Sequence, residues 1–437
     1  MKSIKINQSS ILKTLGFESL NKMQKATQVA THKNNNVILL APTGSGKTLA
    51  YLLSILPKLK QKNEVQALII APTRELVLQI ESVLKQMKLD LKVNSCYGGH
   101  PFSIERKNFS VPPSILVGTP GRIKDHIERA TFDTSSITQL VFDEFDKSLE
   151  FGFTNELKFI TKQLDNVQHK ILVSATKTIE LPDYLDFDNP YTIEFEEKEK
   201  ASLSIQKIIV PKDEKLEGLI AVLNNLKKGQ NAIVFSNHRD ACDRISEQLD
   251  NRGIIYALFH GGLEQKQREF ELTKFRNGSV QILVATDIAA RGIDIPDLDY
   301  VIHYQIPYKE DSFIHRNGRT ARMKASGTSI LILTEEDYVP EYLDEDPSLF
   351  DLKENARIGK PDYITLHINK GKKNKISKFD LVGYFLQFDF MKKDDLGLME
   401  VNDFDSFIAI KREKANLTIK ASQGKKLKKK SPKISIA

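Results

Sequence analysis

The stretch whose reading decides the fold is Val37–Leu56, VILLAPTGSGKTLAYLLSIL. It opens on a short run of branched apolar residues, passes through a glycine-rich turn and goes on with apolar residues at helical spacing, which reads as strand, turn and helix. Gly44 and Gly46 let the backbone wrap so that successive N–H groups face inward, and the start of the following helix adds a favourable partial charge for an anion. Lys47 then brings a point cation to the β/γ-phosphates of a nucleotide, and the Thr48 hydroxyl is suited to Mg²⁺. Gly-Lys-Thr alone occurs in ordinary turns. The strand before it and the helix after it make this a phosphate-binding loop, in which Ala41 stands where the motif usually begins with glycine and Thr43 and Ser45 complete the cradle.

The same alternation recurs along the chain. Apolar runs such as ALIIAP, SILVGTP, QLVFDE and KILVSAT are followed, after YTIEF, by QKIIVP, NAIVFSN, QILVATD, YVIHYQIP and TSILIL. Continuous apolar runs suit strands covered on both faces, hence parallel sheets flanked by helices. The fold class is therefore α/β, two tandem doubly wound parallel-sheet domains, expected over residues 1–200 and 205–335 and split by the charged stretch EEKEKASLS. An acidic linker is expected over 336–360. Residues 361–437 read as strand, helix, strand, strand, helix, strand, a small α+β domain with the βαββαβ order of RNA-recognition folds.

Bulk properties narrow the setting. At 437 residues the chain needs more than one core. Cys96 and Cys242 are the only cysteines, far apart, which argues against a disulfide framework or a structural zinc site. The terminus MKSIKINQSS lacks a signal-peptide core and no apolar run is of membrane-spanning length, so a cytoplasmic protein that does not engage membranes is expected. Charge is uneven. Residues 361–437 carry 17 Lys and Arg against 9 Asp and Glu, while the rest of the chain is nearly neutral at −1. A basic segment on a neutral body is read either as an anchor for a polyanion or as solvated surface.

The phosphate loop gives meaning to LVFDEFDKSLE, residues 140–150. Asp143, at the end of a strand of the same sheet, is placed to hold Mg²⁺ through a water, and Glu144 to polarise an attacking water as general base. Neighbouring buried carboxylates cost several kcal/mol without a cation, so a metal is the economical reading. Without the phosphate loop, acids capping a helix start would be the simpler one. In HRNGRTAR, Arg316, Arg319 and Arg322 recur every three residues, on roughly one face if the segment is helical. Arginines delivered from a second domain neutralise developing phosphate charge.

With these residues in view the chain resembles the DEAD-box RNA helicases. The motifs stand in family order over residues 16–333: the phosphate loop, PTREL, the Gly98-Gly99 pair, TPGR, DEFD, SAT, VFSN, HGGLEQKQR, ATDIAARGID and HRNGRTAR. The resemblance implies two RecA-like domains, ATP and Mg²⁺ as cofactors, and RNA as partner. It implies that Arg74, Gly98, Gly99, Thr119, Gly121 and Arg122 line an RNA track in the first domain, with Gln265, Arg268, Thr286 and Arg291 in the second. Asp294 would meet the ribose, Arg319 and Arg322 the γ-phosphate, and Gln24, after Phe17, the adenine. Ser174 and Thr176 would couple hydrolysis to domain closure, with Asp146 meeting His315. Phe145 replaces the alanine that names the family, Ala321 replaces a glycine, and the proline and threonine usual before the adenine-reading glutamine are absent.

The carboxyl-terminal segment is similar to the RNA-binding domain of DbpA-type DEAD-box proteins, most closely in KGKKNKI, where Lys372, Lys373 and Lys375 are the expected RNA contacts. That likeness implies a hairpin of 23S rRNA as target and a role in large-subunit assembly. FDSFIAI does not supply the paired aromatics of a standard RNA-recognition motif, so side surfaces and lysine clusters are expected to bind. Two functions follow: an RNA-dependent ATPase that locally unwinds short duplexes, or an ATP-gated RNA clamp with little unwinding. Strand release measured beside turnover separates them. A monomer is expected.

Overall fold

The computed structural model describes residues 6–42, 44–99, 102–175, 181–195, 202–290, 295, 298–320, 326–343 and 345–437. The chain divides near residue 200 into two compact units. Thr43, Thr176, Arg291, Asp294, Ala321 and Arg322 lie outside the described residues.

In the first unit the apolar runs become β1 (Asn36–Leu40), β2 (Ala67–Ile70), β3 (Val93–Cys96), β4 (Ile115–Gly118), β5 (Gln139–Phe142), β6 (His169–Ser174) and β7 (Tyr191–Glu194). They form one sheet in the order β3-β4-β2-β5-β6-β1-β7, parallel throughout. β2, β4 and β5 are buried along their whole length, because one face packs on a core that includes Leu52 and Ile80 and the other on Ile123 and Leu157. That is why these strands read as unbroken apolar runs rather than as alternating ones. In a parallel sheet the carboxyl ends all point one way, so the turns after β1, β2, β4 and β5 open on a single edge.

The second unit begins with β8 (Ser202–Val210), followed by β9 (Ala232–Phe235), β10 (Tyr256–Phe259), β11 (Ile282–Ala285), β12 (Tyr300–His303), β13 (Ser326–Thr334) and the short β14 (Ser348–Leu349). The order is β10-β11-β9-β12-β13-β8-β14, again all parallel. The acidic stretch folds back on this sheet. β14 is its edge strand, Asp346 pairs with Lys207 at 2.5 Å, and Tyr342 donates to the Pro307 carbonyl at 2.8 Å. Two more of its acids pair with lysines of the same unit, in Lys212–Glu336 and Lys215–Asp337.

The carboxyl-terminal sheet is antiparallel, β16-β17-β15-β18, built from β15 (Tyr363–Ile368), β16 (Leu396–Val401), β17 (Ser406–Lys411) and β18 (Ile434–Ile436). With the helices Lys378–Leu386 and Ala415–Ser422 the order is the expected βαββαβ. Ser377 and Asp380 form a reciprocal cap that starts the first helix. Alternation divides the strands: Leu366, Ile368, Ile408 and Ile410 face the helices, while Thr365 and Phe407 face the helix Gln265–Arg276 of the second unit. Phe407 meets the Phe270 ring at 5.3 Å, and Thr273 donates to Glu400 at 2.9 Å. No helix among the described residues is long and apolar enough to cross a membrane.

Candidate nucleotide and RNA sites

The phosphate loop lies between β1 and the helix Lys47–Ile55. Gly44 and Gly46 both take positive φ, 85° and 88°, and Gly46 has a second reason to be glycine. A Cβ there would stand 2.6 Å from Gln24 Nε2, because the Gln24 amide donates to the Gly46 carbonyl while its Oε1 accepts from the Asn21 N–H at 3.0 Å. Asn21 Nδ2 donates to the Ser45 carbonyl at 3.0 Å. The helix Lys22–Lys33, started by the Asn21–Gln24 capping box, therefore clasps the loop from behind. Gln24, expected at adenine, is nearly buried and engaged with the loop; Phe17 is half exposed, just after the left-handed Gly16. Ala41 accepts from the Lys47 ammonium at 2.5 Å.

Asp143 follows β5, its N–H bonded to Ile70 at 2.9 Å, so the strand register sets its position. Both carboxylate oxygens are held: Oδ1 accepts from the Glu144 N–H at 3.0 Å and Oδ2 from the Tyr51 hydroxyl at 2.9 Å. Tyr51 is fully buried on the helix that carries Lys47, so the phosphate loop and the acidic turn are wired together inside the first unit. Nothing in the sequence marked Tyr51; its spacing from Lys47 reads only as one more core position. Burial pushes the Asp143 carboxyl above its ordinary 3.8, against the Lys47 charge and the Tyr51 hydrogen bond. Glu144 has φ 47°, a left-handed turn that a non-glycine residue adopts at a cost of about 1–3 kcal/mol. The turn sends Phe145 into the core, where it is fully buried and meets Phe142 edge-on at 5.6 Å. Asp146 accepts from the Ser174 hydroxyl at 3.0 Å, which joins DEFD to SAT.

The arrangement suits a nucleotide with its metal. Ser45 Oγ is out of solvent with no hydrogen-bond partner among the described residues, and Asp143 is a carboxylate that burial disfavours until a cation compensates it. Among the described residues no cluster of three His, Cys, Asp or Glu is placed to hold an ion alone. Phosphate oxygens and water would have to complete the shell of a Mg²⁺ held here, the ordinary case for this ion.

Arg74, at the start of the helix after β2, lays its guanidinium on Gly98 and Gly99. Gly99 has φ 103°, and a Cβ on it would collide with Arg74 Nη1. Thr119 precedes the first residue of the helix Pro120–Glu128 and its side chain makes no capping bond there, with Gly121 exposed beside it. Arg122 is held by Glu105, which accepts from its Nε at 2.6 Å, contacts His126 Nε2 at 2.7 Å and accepts from the Tyr97 N–H at 3.0 Å. Burial raises the Glu105 carboxyl, but these bonds from His126, Arg122 and Tyr97 outweigh it and hold it below 4.5. Sequence reading missed Glu105; it lies in an unremarkable helix and acquires its role only by contact.

In the second unit Gln265 accepts from Arg268 Nη2 at 2.6 Å, and the Arg268 guanidinium stands 5.9 Å from the Phe259 ring centre. Thr286 opens the turn that leads into Asp287–Ala290. The helical segment on which the arginines would share a face does not reach Arg319, and Arg322 lies outside the described residues. The helix ends at Asn317, Thr320 pairs with Leu298, and Arg316 is fully buried, donating to Asp287, to the Gln305 carbonyl at 2.7 Å and to Asn237 at 2.7 Å. Arg316 joins three loops of its own domain. Arg319 lies beyond the helix end, nearly buried, and His315 is bonded through Nδ1 to the Asp311 carbonyl at 2.6 Å.

Two parallel doubly wound sheets, the first with a phosphate loop wired to an acidic turn, and a small basic domain define the class: a nucleotide-dependent helicase core with an appended RNA-binding module. Residues 21–183 match the DEAD/DEAH box helicase family, 212–324 the helicase conserved C-terminal domain and 365–436 the DbpA RNA binding domain. The chain is 30% identical to the ATP-dependent RNA helicase DbpA of Escherichia coli (strain K12), over 97% of this chain and 95% of that protein. It is 29% identical to DbpA of Bacillus subtilis (strain 168), over 98% and 96%. To the ATP-dependent RNA helicase CshA of Listeria monocytogenes it is 37% identical, over 72% of this chain and 62% of that one. Among solved structures it is similar to the DEAD-box helicase Mss116 bound to ssRNA and UDP-BeF, with 26% identity and a TM-score of 0.66 over 76% of this chain and 74% of that one. The chain belongs to the DEAD-box family of ATP-dependent RNA helicases and carries a DbpA-type RNA-binding domain.

Proposed function

We infer that the protein uses ATP to separate short RNA duplexes locally during assembly of the large ribosomal subunit, with a hairpin of 23S rRNA as its anchor. The observation that carries the ATPase half is the bond from Tyr51 to Asp143, which ties the acidic turn to the phosphate-loop helix. In this reading Lys47 and the loop N–H groups would bind the phosphates, Thr48 and Asp143 would hold Mg²⁺, and Glu144 would take a proton from the attacking water. The metal supplies charge neutralisation at the phosphates. Asp146 and Ser174 transmit the state of the site, Arg319 and Arg322 stabilise the transferring phosphoryl group, and Arg74 with Arg122 meets the RNA backbone. Contacts of that kind read phosphate and sugar, so the core has little sequence preference and target choice falls to the basic domain. Crosslinking the protein to RNA in cells and sequencing the bound fragments tests the target. Enrichment of large-subunit rRNA is expected; fragments spread evenly over cellular RNA would overturn it.

A further inference from the structure

The first unit holds one buried carboxylate that no step of ATP hydrolysis uses. Glu105 lies on the short helix Phe102–Asn108 and is 2% exposed. An acid withdrawn this far from water is costly unless donors meet it. They meet it on both oxygens and from two different elements. Oε1 accepts from the N–H of Tyr97, the residue that leads from β3 into Gly98 and Gly99, at 3.0 Å. Oε2 accepts from Arg122 Nε, on the helix Pro120–Glu128, at 2.6 Å, and His126, one turn further along that helix, brings Nε2 to the same oxygen at 2.7 Å.

The segments joined in this way follow neighbouring parallel strands, β3 and β4. They touch directly at one point, where the Thr119 N–H donates to the Cys96 carbonyl at 3.1 Å. Gly118 permits that approach, because a Cβ there would collide with the Cys96 sulfur. Past that point the Glu105 side chain spans from one segment to the other. Arg74, resting on Gly98 and Gly99, brings the turn after β2 into the same series of contacts.

The contacts around Arg122 close into a ring. Its guanidinium is held by Glu105 through Nε and lies 5.2 Å from the centre of the Phe102 ring, Phe102 stacks on His126 at 4.5 Å, and His126 returns to Glu105. Thr131 fixes the other ring nitrogen of His126 at 2.9 Å. A side chain bonded and packed in this way has one geometry before any ligand arrives, and the cost of ordering it is already met.

We propose that Glu105 is a positioning residue for RNA: it fixes the Arg122 guanidinium and the Gly98-Gly99 loop at one spacing, so that both meet a single strand without first being ordered. Glu105 itself touches no RNA and acts through its partners. The acid is the suitable side chain, since the Tyr97 N–H and the Arg122 Nε–H are fixed donors on different oxygens. A glutamine has one oxygen and would turn an N–H toward one of them.

The proposal rests on the reading that Arg122 meets RNA, and the variants keep the two apart. ATP turnover of the full chain is titrated with a single-stranded RNA oligonucleotide for Glu105→Ala, Glu105→Gln, Arg122→Lys and Arg122→Ala, with folding checked by the urea midpoint. Glu105→Ala is expected to raise the RNA concentration for half-maximal stimulation about tenfold, with turnover at saturating RNA as in the wild type. Glu105→Gln, which keeps one oxygen, is expected to fall between the two. Arg122→Lys keeps the charge but loses the Nε that Glu105 holds, and is expected to shift the RNA dependence as Glu105→Ala does. A shift in both Arg122 variants with none in Glu105→Ala would overturn the positioning role and leave the RNA contact standing. Equal losses of RNA dependence and of saturating turnover in Glu105→Ala would mark a general structural role and also overturn it. Should Glu105→Ala fail to fold, Arg122→Lys decides, because wild-type RNA dependence there would show that charge alone suffices. Wild-type RNA dependence in Arg122→Ala would remove the underlying reading and the proposal with it.

Discussion

At the DEFD turn, the side chain between the acids answers to packing and not to chemistry. Phe145 is fully buried against Phe142, so restoring the alanine usual to the family would open a cavity. Phe145→Ala is expected to destabilise the first unit by about 3–5 kcal/mol, seen as a lower urea midpoint, while a midpoint equal to wild type would mean that the ring contributes nothing. Tyr51 is the opposite case, a core position by spacing that turns out to hold the acid. Tyr51→Phe removes one hydroxyl from a bond to a carboxylate, worth about 1.5–3 kcal/mol. It is expected to raise the Mg²⁺ concentration needed for half-maximal binding of a fluorescent ATP analogue about tenfold, with folding retained; an unchanged Mg²⁺ dependence would show that Asp143 is positioned without it. The acids themselves were legible because a short apolar run followed by carboxylates has few other uses beside a phosphate loop. Tyr51 and Glu105 were not, since each acquires its role only from partners that folding brings to it.

Elements were read more easily than the contacts between them. Runs such as those of β2, β4, β5, β9 and β11 were visible as unbroken apolar segments, because these parallel strands are buried along their whole length. The shared face of Arg316 and Arg319 was conditional on a helix running through both; the helix stops at Asn317, and three-residue spacing across a helix end no longer means a shared face. The acidic stretch read as a linker by composition; three of its acids, Asp346, Glu336 and Asp337, pair with Lys207, Lys212 and Lys215, a pairing that composition does not reveal. The helix Pro120–Glu128 depends on Glu105, whose carboxyl is held below 4.5 in the fold by His126 and Arg122. A carboxylate with a lowered folded pKa stabilises fully above its unfolded value and loses that contribution as pH falls through the folded one. Urea unfolding of the wild type should therefore lose stability below about pH 4.5 more steeply than that of Glu105→Gln. Parallel pH profiles would show that Glu105 is not the group concerned.

The molecule as a whole sets a neutral body beside a basic end. Deleting residues 361–437 is expected to leave ATP hydrolysis with abundant generic RNA and to abolish preference for an rRNA hairpin; preserved discrimination would contradict the anchor. If about five lysines meet phosphate, affinity should fall with salt at a log–log slope of roughly −3.5 to −4.5, and a flat response would mark a solvated surface. The order βαββαβ was legible because each strand and helix keeps its own period. The docking of its sheet on the helix Gln265–Arg276 was not, since Thr365 and Phe407 look like ordinary strand residues until a second surface covers them. The central claim, that hydrolysis at the acidic turn drives strand separation, is tested most directly by following ATP turnover and release of a short RNA duplex together in wild type and Glu144→Gln. RNA-stimulated turnover with strand release is predicted for the wild type, and turnover at least about 10²-fold lower, with no release but intact nucleotide binding, for the variant. Near-normal turnover in Glu144→Gln, or wild-type turnover without release, would contradict it.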